Sequence, residues 1–391
     1  MKRWILTNLL LMLMVLQALS VPVLIDNVYY NLNETAKTAS VTCRYKNGDP
    51  TSDWMYFTSD SLYVGDVVIP SEVVSDGVTY TVNEIGTNAF AGSKLMTSLL
   101  LPASVTTFGT GTFSLCNALS YISVDAENPV YQSDNGIMYT KSPLSIFFVP
   151  RALGGIVTLL DGLTEVSSSA FQGCSSIESV TIPNSVTKIC DGAFDKCTSL
   201  TEVVVGTGLE SIERNAFSNC TQLEIADFSD TKLKSIGHSA FDGCSSLMYV
   251  LLGNYLETIG NYAFYGNGLV GILLPSTLKS IGTKAFYGCE SLSTVINYSD
   301  LDVQAGSEDN GYVAYYATDV SDNEVVEASE KPFVVYDKEG ITLYNVKNRH
   351  IQVVDLHGRF LYNQICNDEL LRLNNCGWNV RVKNRRVKIA K

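Results

Sequence analysis

An Ala-Phe pair, replaced once by Thr-Phe, recurs along this chain, and few folds can accommodate such a repeat. The pairs are Ala89-Phe90, Thr112-Phe113, Ala170-Phe171, Ala193-Phe194, Ala216-Phe217, Ala240-Phe241, Ala263-Phe264 and Ala285-Phe286, at Phe-to-Phe intervals of 23, 58, 23, 23, 24, 23 and 22. Self-similarity at a short fixed period marks a chain that stacks one small unit on the next. The interval of 58 holds an insertion. One unit runs Ile177-Glu178-Ser179-Val180-Thr181-Ile182-Pro183, an alternating strand, then Val186-Thr187-Lys188-Ile189, a turn, Ala193-Phe194 and Cys197. Alternation sends every second side chain inward. Pro102, Pro183 and Pro275 end their strands, because proline donates nothing to a ladder between coils. A single coil cannot bury its apolar side, so neighbours must stack. The expected fold is a repeat solenoid of parallel β strands stacked coil on coil. Eight coils at about 4.8 Å each give a stack of roughly 35 Å with the Phe row as its spine.

Six cysteines keep step with the repeat. Cys116, Cys174, Cys197, Cys220, Cys244 and Cys289 each lie three residues after the Phe, where Ser93 and Asn267 stand in the other two coils. One reading is a thiolate metal array or a disulfide chain; the other is a buried ladder of small thiols. The second is favoured, since neither C-x-x-C spacing nor clustered His supplies zinc geometry.

The run A-F-x-G-C-S-S-I-E-S-V-T-I-P-N-S-V-T-K-I resembles the BspA-type leucine-rich repeat of bacterial cell-surface proteins, over about residues 40 to 318. The entry Tyr63 to Pro70 followed by Gly77 to Val82, the insertion Val124 to Tyr131 through Asp134 to Tyr139, and the exit Tyr312 to Ala317 are similar to that family's opening strands, hairpin interruption and ending. The resemblance implies a leucine-rich-repeat protein that is secreted or displayed at the surface, with adhesion to host proteins or other cells as a role of some members.

Composition narrows the function further. In 391 residues the formal charge is −13, and hydrophobic content of 46% excludes general disorder. From Phe333 onward 11 Lys or Arg face 5 Asp or Glu, which leaves 16 basic against 35 acidic residues before it. An acidic body is unsuited to nucleic acid, and the basic tail has no recognisable RNA motif. Lys2, Arg3, the apolar run Leu9 to Leu16 and Ala18-Leu19-Ser20 read as a secretory signal peptide, too short in its apolar part to span a bilayer. No other stretch is apolar enough for a transmembrane helix.

The expected organisation is a signal peptide over 1–20, an N-terminal β capping region over 21–86, the solenoid over 87–318 with its insertion at about 124–155, an acidic linker over 319–332, and a small C-terminal all-β domain over 333–391. The tail strands Ile351 to Arg359 and Trp378 to Val382, with the ending Arg386 to Lys391, resemble a type IX secretion sorting domain. That resemblance implies an address for export; Asn374-Asn375-Cys376-Gly377 and Asn379 depart from it, which leaves a degenerate tail as the alternative. The pairing of Cys366 with Cys376 stays open.

With the repeat Phe at position zero, positions +6, +9 and +11 point inward and +8 and +10 face solvent. Outward Val204, Ile225, Tyr249, Leu251, Ile296 and, shifted by one for a deletion, Leu273 then form an apolar strip on an acidic solenoid, and contiguous exposed apolar area marks an interaction site. Either this is a protein-binding face, or those coils are covered by the chain's own tail or insertion, or the register is one residue off. The partner is an unknown protein or cell-surface ligand, a host extracellular-matrix protein among the candidates. No cofactor or metal is implied. Catalysis has little support: His238 sits at a turn position held elsewhere by Asn261 and Thr283, His350 and His357 lie in the tail, and no nucleophile-elbow, zinc-protease or phosphate-loop motif is present. Three classes remain: a secreted or surface adhesion module, a passive spacer, and an unrecognised enzyme, with the first preferred and an enzyme not expected.

Overall fold

The computed structural model describes residues 22–43 and 63–322, together with the backbone of the strands between Phe333 and Val387. The chain divides into two compact units, Met1–Val295 with Ser299–Val320, and Ile296–Tyr298 with Ser321–Lys391. The proposed signal peptide lies outside the described residues.

The first unit is a parallel β solenoid in which three backbone ladders join each coil to the next. Long strands form the first: Val64–Val68, Leu95–Leu101 and Tyr121–Val124, then Gly154–Thr158, Ser176–Ile182 and Glu202–Val205, then Ile225–Asp227 with Tyr249–Leu251. Two-residue strands form the second, from Glu165–Val166 through Lys188–Ile189, Ser211–Ile212, Ser235–Ile236 and Thr258–Ile259 to Ser280–Ile281, always with the same register. On this side Lys234 meets Glu210 at 2.8 Å and Lys279 meets Glu257 at 2.7 Å, each a contact between neighbouring coils. Opposite charges one coil apart favour this register over a slipped one. The third ladder is the Ala-Phe turn itself. The amide N–H of Phe194, Phe217, Phe241 and Phe264 each donates to the carbonyl of the next coil's alanine at 2.7 Å.

The turn explains the glycine of the repeat motif. The residue two after the Phe is left-handed in every coil, at φ 79° for Gly92, 73° for Gly173 and 72° for Gly243. Glycine enters that conformation without steric penalty. Leu115, Lys196 and Asn219 occupy it with side chains. Between two such turns the Phe rings point into the core. From Phe171 to Phe286 successive rings stack at 4.9 to 5.3 Å, the coil repeat itself.

The cysteine row is buried and reduced, and it does more than fill space. Sγ of Cys197, Cys220, Cys244 and Cys289 donates to the Phe carbonyl of the preceding coil at 3.0 to 3.1 Å. The carbonyls of Phe171, Phe194 and Phe217 also accept the backbone N–H of the cysteine three residues on, so the thiol is a second donor to an acceptor with two lone pairs. Burial pushes the thiols of Cys116, Cys174 and Cys289 up to about 12, so the reactive thiolate is suppressed. At Asn267 the amide Nδ2 takes over the bond to Phe241 O at 3.0 Å, while its buried Oδ1 has no partner. Asn267→Cys should therefore keep the bond, remove the orphan acceptor and raise stability by about 1 to 2 kcal/mol. A denaturation midpoint lower than that of the unaltered chain would show that the amide is needed for its size.

The insertion breaks the spine. Tyr131–Asp134, Ile137–Lys141 and Leu144–Phe148 form an antiparallel meander. Phe113 does not reach Phe171; its ring lies 4.3 Å from Phe148 of the insertion. Ile137, Met138 and Tyr139 are all buried, Met138 in the core of the coils before the insertion and Ile137 and Tyr139 in the core after it. One strand is thus wedged between two stacks, with consecutive side chains serving opposite cores.

At the N-terminal end the strands Val28–Asn33 and Thr38–Thr42 pair as a hairpin, and Thr38–Thr42 runs parallel to Val78–Ile85. Tyr63 terminates the Phe row, its ring edge-on to Phe90 at 5.1 Å and its hydroxyl donating to Thr42 O at 2.7 Å. In the second unit, Gly340–Tyr344 lies between Phe333–Asp337 and Leu370–Asn374, and Arg349–Asp355 lies between Phe360–Cys366 and Trp378–Val382, all antiparallel. Cys376 falls outside the described residues, and with it the question of its pairing.

Candidate functional site: the outer face of the long strands

Backbone alternation decides which side chains this face offers. In Tyr249–Leu251 the central Val250 is buried and its neighbours are half-buried; in Gly271–Leu274 the buried residues are Ile272 and Leu274, which leaves Leu273 outside. Coil 264 is one residue short before its strand, and the outward register follows that deletion.

The structure brings Ile225, Tyr249, Leu251 and Leu273 onto adjacent coils. Ile225 is directly opposite Tyr249, and Asp227 opposite Leu251. Val204 stands opposite Thr181 and is 46% exposed, but Asp227 separates it from Leu251 along the outward row. The apolar patch is therefore centred on four side chains with Glu202 and Asp227 at its rim, an apolar centre and polar border of the kind found in protein interfaces. Burial raises the phenol of Tyr249 above its ordinary value, which reflects how far its ring lies down on the strands. Ile296 belongs to the second compact unit, half-buried in Thr294–Asn297, and is described apart from this patch.

Sequence reasoning placed Leu100 on the outward row but missed its neighbours Val64, Val68 and Leu95. Val64 is paired with Leu95, and the two are 62% and 65% exposed; Val68 is paired with Leu100 and both are exposed as well. The signal was present in Val64-Gly65-Asp66-Val67-Val68, whose buried member is Val67. At the polar end of these strands Asp66 accepts from Thr97 Oγ1 at 2.8 Å and Ser98 Oγ at 2.6 Å, and these bonds lower its carboxyl below the usual range.

Of the histidines weighed for catalysis, His350 lies in the strand Arg349–Asp355 of the second unit and His357 lies outside the described residues. His238 packs edge-on against Tyr262 at 5.7 Å on the Ala-Phe turn. Among the described residues no group of three or more His, Cys, Asp or Glu could hold a metal ion, and no helix is long and apolar enough to cross a membrane.

Comparison with known proteins agrees with the repeat. The family model for the BspA type leucine rich repeat region matches residues 74–156 and 161–296 in 6 copies. No curated protein matches the chain. Among solved structures, a leucine-rich repeat protein of Bacteroides ovatus is 24% identical with a TM-score of 0.52, over 77% of this chain and 76% of that one. A leucine rich cell surface protein of Faecalibacterium prausnitzii is 21% identical with a TM-score of 0.28; the match covers 71% of this chain and only 55% of the other. A leucine-rich repeat protein of Eubacterium ventriosum is 18% identical with a TM-score of 0.43, over 73% of this chain and 97% of that one.

Proposed function

Since the chain belongs to the BspA-type leucine-rich repeat family, we propose that it is exported and acts at the cell surface as an adhesion module, binding a protein partner through the outer face of its long strands. The observation that carries this reading is the apolar patch of Ile225, Tyr249, Leu251 and Leu273 on adjacent coils of an otherwise acidic chain. These four half-buried apolar residues point away from the core, which fits a surface that is buried further on binding. The basic and apolar N-terminal residues, and the tail's resemblance to a sorting domain, support export. The reading includes no chemical step.

The test is a triple variant, Tyr249→Ser, Leu251→Ser and Leu273→Ser, beside the unaltered chain on arrays of extracellular-matrix proteins, glycans and bacterial surfaces. A saturable protein ligand should be found and its affinity should fall about a hundredfold in the folded variant, since central aromatic and aliphatic anchors carry about 2 kcal/mol or more. Unchanged affinity would remove the patch from the binding site. Absence of any saturable ligand would favour a passive spacer.

A further inference from the structure

The Ala-Phe turn at the C-terminal end of the solenoid carries a second surface, distinct from the long-strand face. There the rings of Tyr262, Tyr265, Tyr287, Tyr312, Tyr315 and Tyr316 form an unbroken chain of contacts: 5.9, 5.7, 5.1, 5.3 and 4.9 Å between successive centroids. Tyr265, Tyr287 and Tyr315 are each more than a third exposed. At Tyr262, Tyr265 and Tyr287 the repeat does not require a ring. Earlier coils place Ser218 and Asp242 where Tyr265 and Tyr287 stand, and Asn215 and Ser239 where Tyr262 stands. Tyr262 and Tyr312 also hold left-handed backbone, at φ 57° and 68°, which bulky side chains rarely adopt.

Charge indicates what would sit on these rings. Between residues 285 and 318 there are 5 Asp or Glu and no Lys or Arg. Glu308 accepts from the Tyr312 hydroxyl at 2.9 Å, Asp309 is exposed beside it, and Glu290 lies within electrostatic reach of Tyr316. Among the described residues none of these acids has an ion-pair partner. An acidic cluster alone is a solvated surface; here it surrounds ring faces whose quadrupole itself attracts cations. Lys284 demonstrates the contact, its ammonium lying 5.2 Å over the Tyr287 ring. We propose that this tyrosine platform is a docking site for an extended, arginine- and lysine-bearing segment of a partner protein. Its cations would alternate between ring faces and the carboxylates of Glu290, Glu308 and Asp309.

The test titrates the full chain with a fluorescent peptide of alternating Arg and Ser, with the same peptide carrying citrulline in place of Arg, and with a chitin oligosaccharide. The Arg peptide should bind saturably and more weakly as salt rises. Its affinity should fall about tenfold for Tyr287→Ser with Tyr315→Ser, and stay within about twofold for Tyr287→Phe with Tyr315→Phe, which keep the ring faces. Glu308→Gln, a fully surface change, should weaken binding without altering the denaturation midpoint, which separates lost binding from lost folding. Equal binding by the serine variant would mean generic attraction to an acidic chain and would overturn the proposal. So would citrulline peptide or oligosaccharide binding as tightly as the Arg peptide, or no saturable binding of the Arg peptide. The strand-face triple variant should bind the Arg peptide normally, so failure of either site is visible by itself.

Discussion

Phe217→Ala lowers the free energy of unfolding by about 3 to 5 kcal/mol, measured by urea or guanidinium melts, the usual range for truncating a buried aromatic. The ring is buried and stacks at 5.1 Å on both Phe194 and Phe241, so removing it exposes two further rings to a cavity. Stability in a stacked array is a sum of unit and interface terms, and this substitution weakens one unit and two interfaces at once. The melt should also broaden or split, because coils on either side are no longer coupled as strongly. A change below about 1 kcal/mol would mean that the Phe row is not the spine.

Gly260→Val comes next in size, with an expected loss of about 3 kcal/mol read from the same melts. Its backbone is not left-handed, so valine is not excluded by conformation. The obstacle is the neighbouring coil: a Cβ at Gly260 would lie 2.6 Å from the carbonyl carbon of Gly237 and 2.7 Å from the amide nitrogen of His238. Gly282 makes the same approach to Gly260. These three glycines follow the short strands, at positions held in earlier coils by Cys190 and Glu213. An unchanged midpoint would mean that the C-terminal coils spread apart without penalty.

The solenoid was readable from the sequence because its core sites repeat. Phe at zero and the apolar residues at +6, +9 and +11 are fixed by the same inward geometry from coil to coil; Val250 occupies the site its spacing predicts, and Ile272 does so once the one-residue deletion in its coil is allowed for. The cysteines could be read as buried, but not as donors, since the Phe carbonyl that receives the thiol belongs to a different coil. The insertion could be located but not its packing: Ile137-Met138-Tyr139 is a continuous apolar run, which periodicity cannot assign to a strand buried on both faces. The tyrosine platform escaped notice for the opposite reason. It is built from turn positions outside the repeating apolar pattern, and the usable signal was the acid-rich, cation-free stretch around Tyr312-Val313-Ala314-Tyr315-Tyr316. The outward residues of the long strands, Asp227 among them, were identifiable by parity, with Leu273 needing a one-residue shift, whereas the direct pairing of Asp227 with Leu251 required the register.

The wedge strand Ile137–Lys141 has a consequence for how such a chain can change over generations. Because each block of coils ends on its own side of that strand, Met138 on one and Tyr139 on the other, neither block reads the length of its neighbour. Duplication or loss of a whole coil beyond the ones that touch the insertion, which do so through Phe108 and Phe113 on one side and Cys174 on the other, leaves the junction untouched. The array can therefore be lengthened like a sentence with a fixed comma, and the surfaces it displays can be moved apart or together in steps of one coil.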